Sequence, residues 1–555
     1  MNFEQTEPSG DSEWEDGSTW QRIRRYAVPG WMIEQATAHR LAGDWRAACA
    51  AAAVDVLFEP AELEARHGAA VAEAVAEDLR HFAPDLLRWH LPRYLGGRTT
   101  LTTGLRIVLA SYGGPDGPTL SVTTPLLTEG SQRLRLHCEP LVAERRNAYT
   151  GEGFVREHWD AVRPFWDARF ASELGTHLAV PEGLAERIAR LRADGETLAA
   201  YAAAGIECDL TDPSAPPYGS PTDAKTTLGR VAVDLSRLAP EVTRLVAAGA
   251  GGRYRVWAGW YCHLLLEHAG PDRLRARLIG RNDGLAVPPM PRHAYQTLPD
   301  LALVRTGRVA PHELHPLVAA ALFPDAGPAE APTGPDAGGP VRVRCHGGWH
   351  EVRSRDGVLD VPHTPEEQQR ERAMRAFGGA VSGCFAVQQS WTTGEGRLPR
   401  ALQAQRRELF LRVQHGDTPG VTALLDAGMD PRIRDARGRG LLHSLHLLDH
   451  EVLLPRLLAA GLDLEARDKN RRTPLLSAVH WGGSAALVRA LVEAGSRIDV
   501  TEEMELSLSQ EIRRYKRKDL AFLQERVDEE YPGIGADWFD EHMEYRDEDE
   551  DEDDA

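Results

Sequence analysis

Apolar positions along this chain change period several times, and the changes divide it. From Trp31 they recur at helical spacing. The run R-L-A-G-D-W-R-A-A-C-A-A-A-A-V-D-V around Ala47 predicts a small-residue helix packed closely on a neighbour, and V-A-E-D-L-R-H-F-A-P-D-L-L-R-W from Val75 predicts another. After Gly97 the period becomes two. L-R-I-V-L-A from Leu105, T-L-S-V-T-T from Thr119 and R-L-R-L-H-C from Arg133 predict strands, separated by turn signals such as G-G-P-D-G-P. The same order then returns. A-A-Y-A-A-A-G-I-E-C from Ala199 aligns without a gap on the run from Ala47, with Gly195 on Gly43. V-A-V-D-L-S-R-L-A-P-E-V-T-R from Val231 aligns on the run from Val75, and strand-like R-Y-R-V-W-A and R-L-R-A-R-L follow from Arg253 and Arg273. Such alanine-rich matches leave a tandem duplication of residues 31–290 open. If it holds, the groove between the halves is the default pocket.

Between the two copies, Phe154, Trp159, Val162, Phe165 and Trp166 fall at helical spacing. Residues 324–340 are rich in Pro, Gly and Ala with little apolar bulk, and read as a linker. Past it, V-R-V-R-C, W-H-E-V and V-L-D-V predict a small hairpin turning at R-D-G. Thr364, Pro365 and Glu367 predict a helix start with a capping box.

A longer period governs the C-terminal part. Asp435 and Asp468 lie 33 residues apart and open the similar runs D-A-R-G-R-G-L-L-H and D-K-N-R-R-T-P-L-L. Gly428, Gly461 and Gly495 follow at spacings of 33 and 34, each just after a paired apolar step: Leu424-Leu425, Leu457-Leu458 and Leu491-Val492. This pattern resembles the ankyrin repeat. The resemblance implies units made of a β-turn finger and two short antiparallel helices, which bury their apolar faces only by stacking. It covers about a quarter of the chain and departs from the family pattern. His443 stands in the first copy without Thr-Pro before it, Thr473-Pro474 stands in the second with Leu476 in place of His, and Pro455 falls inside a predicted helix. Thr418 and Pro419 predict a cap and first-turn proline for one helix, and 505–531 a closing pair. Taken whole, the chain resembles actinomycete ankyrin-repeat proteins, a likeness that implies no activity for the N-terminal region.

The fold class expected is therefore multidomain: an α+β N-terminal region, open to tandem duplication, followed by an all-α ankyrin-repeat solenoid. The boundaries are a disordered 1–22, an α+β region 23–323 with candidate halves 31–140 and 185–290, a linker 324–340, a hairpin-plus-helix module 341–400, the array 401–532 and an acidic tail 533–555.

Composition narrows the function. The 555 residues carry a net charge of −19 and end in an acidic run, Glu548 to Asp554. There is no basic stripe interleaved with aromatics, which argues against nucleic acid as the partner. No apolar run reaches the roughly 18 residues of a membrane span, and the N-terminus has no signal-peptide pattern, so a cytoplasmic protein is expected. Six scattered cysteines without C-x-x-C spacing read as reduced thiols.

The finger tips are basic: Arg432, Arg434, Arg437 and Arg439 on one, Arg467, Lys469, Arg471 and Arg472 on the next. The resemblance makes these eight the candidate partner-binding residues, for an unidentified protein partner that is acidic, with the acidic tail as an internal competitor. The bland alternative is ordinary solvated charge. Cys345, His346, His350 and Cys384 match no zinc spacing and are read as structural, so no metal and no cofactor is expected. Glu157, His158 and Asp160 beside Trp159 read as surface charge around a packed ring, and no P-loop, G-x-S-x-G or H-E-x-x-H occurs. The leading expectation is a non-enzymatic adaptor or regulatory protein. The alternative is an enzymatic or small-molecule-binding N-terminal region that the array directs to its target.

Overall fold

The computed structural model describes residues 17–540 except 96–98, 115, 142–153, 211–222, 250, 260–261, 281–282, 284–285, 297, 328–338 and 379–380. Most of the expected linker and the acidic run Glu548 to Asp554 lie outside them. The described chain forms two compact units, one from 1–125 and 133–330, the other from 126–132 and 331–555.

In the first unit, strands β1 (Val54–Val56), β2 (Leu105–Ser111), β3 (Pro118–Thr123), β4 (Leu134–Pro140) and β5 (Val155–His158) form a sheet of order β1-β4-β3-β2-β5. Strands β6 (Ile206–Asp209), β7 (Arg253–Gly259), β8 (Cys262–Gly270) and β9 (Arg273–Gly280) form a second, ordered β6-β9-β8-β7. Each sheet is an antiparallel three-strand meander whose last strand takes an earlier strand in parallel, Val54 against Leu134 in one and Ile206 against Leu274 in the other. β5 pairs in parallel with β2, and the second sheet has only a one-residue counterpart, the parallel bridge of Pro289 to Arg255 on β7.

The helices repeat as well. Helix Trp45–Ala51 leads into β1 as helix Thr197–Ala203 leads into β6. Gly43 and Gly195, superposed by the sequence alignment, have φ of +78° and +74°, and the matched turn residues Ala53 and Gly205 have +54° and +75°. Further along, the matched segments differ. Helix Ala69–His81 stops before Pro84, whereas Leu235–Ala247 runs on through Pro240. The stretch before residue 22 is not wholly irregular, because Gly17–Tyr26 is a helix. It is fixed by Arg24, whose guanidinium grips Asp300 at 2.6 and 2.9 Å while donating to the Trp89 carbonyl.

The second unit corrects the expected fold class. Its half of the chain is mixed rather than all-α, because β10 (Val341–Cys345), β11 (Gly348–Arg355) and β12 (Val358–Asp360) make a three-stranded antiparallel sheet. Val341, Val343, Val352 and Leu359 alternate onto one face. That face joins the same apolar core as Leu402, Leu424, Leu457 and Leu491 from the helices that follow. A sheet and helices sharing one core cannot be separated into a helical solenoid and an appended hairpin.

Within that core the helices come in pairs. Helix Arg400–Gln414 is followed by Thr418–Asp426. The 3-10 turn Leu442–Leu447 precedes His450–Ala459, Pro474–His480 precedes Ala485–Glu493, and Leu508–Arg514 precedes Ala521–Glu530. Three of these helices end alike. The amides of Gly428, Gly461 and Gly495 reach back to the carbonyls of Leu425, Leu458 and Val492, and the amide after each glycine reaches Leu424, Leu457 or Leu491. With φ of +94°, +76° and +101° these are left-handed C-caps that a side chain would strain. Asp417, not Thr418, caps the Thr418–Asp426 helix by accepting from Gly420. The Thr418 hydroxyl instead accepts the Asp449 amide of the next unit. His450–Ala459 continues through Pro455.

Candidate functional site

The turns at 435–439, 468–472 and 502–506 are built by one short motif used three times. Asp435 Oδ1 accepts the amides of Arg437 and Arg439, each at 2.8 Å, and Asp468 Oδ1 accepts those of Asn470 and Arg472 at 2.9 and 2.8 Å. Glu502 does the same for Met504 and Leu506. Each acid's own amide closes the turn four residues on, at Arg439, Arg472 and Leu506. The acids are needed because a tight turn leaves amides with no strand to pair with.

The eight basic residues divide. Arg432 folds onto Asp430, and Arg434 is spent on the carbonyls of Gly438 and Arg467. Arg472 lies over the Trp481 ring and 3.8 Å from Glu502. Arg467, Lys469 and Arg471 are exposed, with no side-chain partner among the described residues. Arg437 and Arg439 hold a single carboxylate: Glu129 accepts from them at 2.5 and 2.8 Å.

Glu129 belongs to the segment Leu126–Gln132, which is part of this unit although it precedes β4 in sequence. The buried His446, pushed down to about 4 by desolvation and therefore neutral, fixes the segment through a 3.0 Å contact between Nε2 and the Glu129 carbonyl. Burial alone would raise the Glu129 carboxyl, but Arg439 and Arg437 hold it below the ordinary glutamate value. No local pattern marks Glu129, since its partners lie more than 300 positions away.

A second constellation lies at the sheet. The two-residue turn His346-Gly347, with φ of +47° and +87°, joins β10 to β11. Strand alternation then puts Cys345 and His350 on the same face. His363 follows β12, and Cys384 lies in the first turn of helix Gly383–Thr393. His350 Nδ1 is 3.2 Å from His363 Nε2 and 3.5 Å from Cys384 Sγ, and Cys345 Sγ is 3.6 Å from His363 Nε2. All four donor atoms fall within 4.8 Å of one another. Both thiols are buried, and as a neutral thiol Cys384 is pushed up to about 12 by desolvation and by the neighbouring Cys345. The far side of His363 is fixed by Glu367, whose Oε2 lies 3.2 Å from Nδ1 and also accepts the Thr364 amide. The sequence reading set a cluster aside here and named His346, which points outward and takes no part. It missed His363, which only the return of the chain after β12 brings in.

In the first unit, a pocket of about 570 Å³ opens between β5 and the second sheet, lined by Arg156, His158, Leu245, Tyr254, Arg255 and Pro289, and a cluster of rings packs around Phe165. Trp159 and Phe165 stack edge-on with His293, and Phe165 also meets His90 and His177. Desolvation pushes His177 down to about 3 and holds His90 and His293 well below the ordinary value. Glu157 is not surface charge. It is buried, accepts from the Trp159 indole at 3.0 Å, and burial raises its carboxyl. Asp78, at the edge of a shallow hollow, would be raised by burial but is held low by hydrogen bonds from Arg163, Tyr112 and Arg169. Glu157 and Asp78 are held by these partners, and Glu77, Asp78 and Asp160 line the hollow together with Arg163. No described helix is long and apolar enough to cross a membrane. Compared with known proteins, the chain matches no family model and no curated protein.

Proposed function

We propose that this chain is a cytoplasmic interaction protein of the ankyrin-repeat type, and that the edge formed by its finger turns grips an acidic segment of a protein partner. The observation that carries this reading is the clasp of Arg437 and Arg439 on Glu129. A carboxylate presented on an irregular stretch of chain is the kind of group this edge accommodates, and Glu129 is an internal example of it. Next to the clasp, Arg467, Lys469 and Arg471 extend the positive edge outward. Three turns of like geometry at spacings of 33 and 34 support the repeat reading.

The test is titration of the full chain with a fluorescent glutamate-rich peptide and with its glutamine counterpart. Salt-sensitive binding of the first alone, lost in Arg467→Glu/Lys469→Glu/Arg471→Glu, supports the reading. Equal binding of both peptides, or none of either, refutes it.

A further inference from the structure

Cys345, His350, His363 and Cys384 come from three strand ends and a helix start, and the chain between them turns so that four soft donors face one point. We propose that these four side chains bind one zinc(II) ion in a closed, structural site.

Three of the six donor–donor separations match the edges of a zinc tetrahedron. With Zn–S of about 2.3 Å and Zn–N of about 2.05 Å, its edges are about 3.3 Å between nitrogens, about 3.6 Å between nitrogen and sulfur, and about 3.8 Å between sulfurs. The nitrogen–nitrogen separation is 3.2 Å, two of the four nitrogen–sulfur separations are 3.5 and 3.6 Å, and every pair of donors lies within 4.8 Å. Hydrogen bonding alone would ask each donor to find one partner; it would not bring four within mutual reach. Two thiolates with two imidazoles match zinc better than the hard cations, which prefer oxygen, or an iron–sulfur cluster, which takes mostly thiolates.

Two further features suit a built site. Glu367 orients His363 from behind, leaving Nε2 for the ion, as the outer partners of metal-bound histidines do. Gly383 lets the helix start approach Cys345: a Cβ there would lie 2.5 Å from the Cys345 sulfur, and its φ of +58° disfavours any side chain. All four positions are protein ligands, so the site is closed to substrate, and its role is to tie β10–β12 to helix Gly383–Thr393.

The full chain, purified under reducing conditions and incubated with zinc, should retain about one equivalent after gel filtration. Cys384→Ser and His363→Ala should each lose it, while His346→Ala, in the adjoining turn, should keep it. Cobalt(II) in place of zinc should give tetrahedral ligand-field bands and thiolate charge transfer, a readout on the unaltered chain that holds even where a variant fails to fold. Glu367→Gln should weaken zinc about 10-fold or more in competition with a chromophoric chelator. Absence of retained zinc in the unaltered chain, retention by folded Cys384→Ser and His363→Ala, or a cobalt spectrum without thiolate charge transfer each overturns the assignment.

Discussion

Glu129→Gln preserves the shape of the clasped side chain and removes its charge. On the Arg437 side the loss is small, because that guanidinium is 53% exposed and an ion pair so placed is worth about 0.2–1 kcal/mol. On the Arg439 side it is larger. That guanidinium is 23% exposed, shared with Asp435, and donates to Glu129 at 2.8 Å. A hydrogen bond to a charged group there contributes about 1.5–3 kcal/mol, part of which the glutamine oxygen keeps. The net weakening of the segment's hold is therefore about 1–2 kcal/mol. If Glu129 and an acidic peptide compete for the same two guanidinium groups, the peptide's apparent Kd in the full chain falls about 5- to 30-fold. Fluorescence anisotropy with a labelled glutamate-rich peptide reads this directly, and the gain should shrink in high salt. Unchanged affinity in Glu129→Gln, or undiminished binding in Arg439→Glu, refutes competition at the clasp.

Three further outcomes are expected. Asp300→Ala leaves Arg24 buried without its carboxylate and should destabilise the first unit by about 3–5 kcal/mol in urea denaturation; Arg24→Met with Asp300→Leu should recover most of it. His90, His177 and His293 have folded pKa values below the unfolded value near 6.5, so their unfolded forms take up more protons in acid. Stability is then complete above about pH 6.5 and falls by roughly 1.4 kcal/mol per pH unit for each neutral histidine below it, a slope that His293→Asn should lessen. Gly383→Ala should cost about 1–3 kcal/mol through its left-handed backbone and its clash with Cys345, read as a lower thermal midpoint of the second unit.

Features fixed by neighbours in sequence were legible before any coordinates. The left-handed glycines after Leu425, Leu458 and Val492 can be read because a helix end with positive φ excludes most other residues. The Thr364–Glu367 capping box is equally local. Asp435 and Asp468 repeat because each solves the same shortage of turn acceptors. Features that depend on distant chain were not legible. The all-α expectation failed because the V-R-V-R-C alternation gives a strand but not the core it shares, and that core is common to the sheet and the helices. The Cys-His cluster escaped because its spacings are set by two hairpin turns and a helix docking, so His363 had no local reason to stand with Cys345. Arg437 and Arg439 were singled out by charge alone, while the acid they hold lies in a stretch that carries no pattern.

The inclusion of 126–132 in the second unit bears on how this polypeptide can be dissected. A cut at any single place in the linker yields a C-terminal piece deprived of the carboxylate that neutralises two of its arginines. If acidic peptides compete with Glu129 for these guanidinium groups, such a fragment should bind them more tightly than the parent chain does. Supplying the 126–132 peptide in trans, or retaining it by a designed fusion, restores the fair comparison.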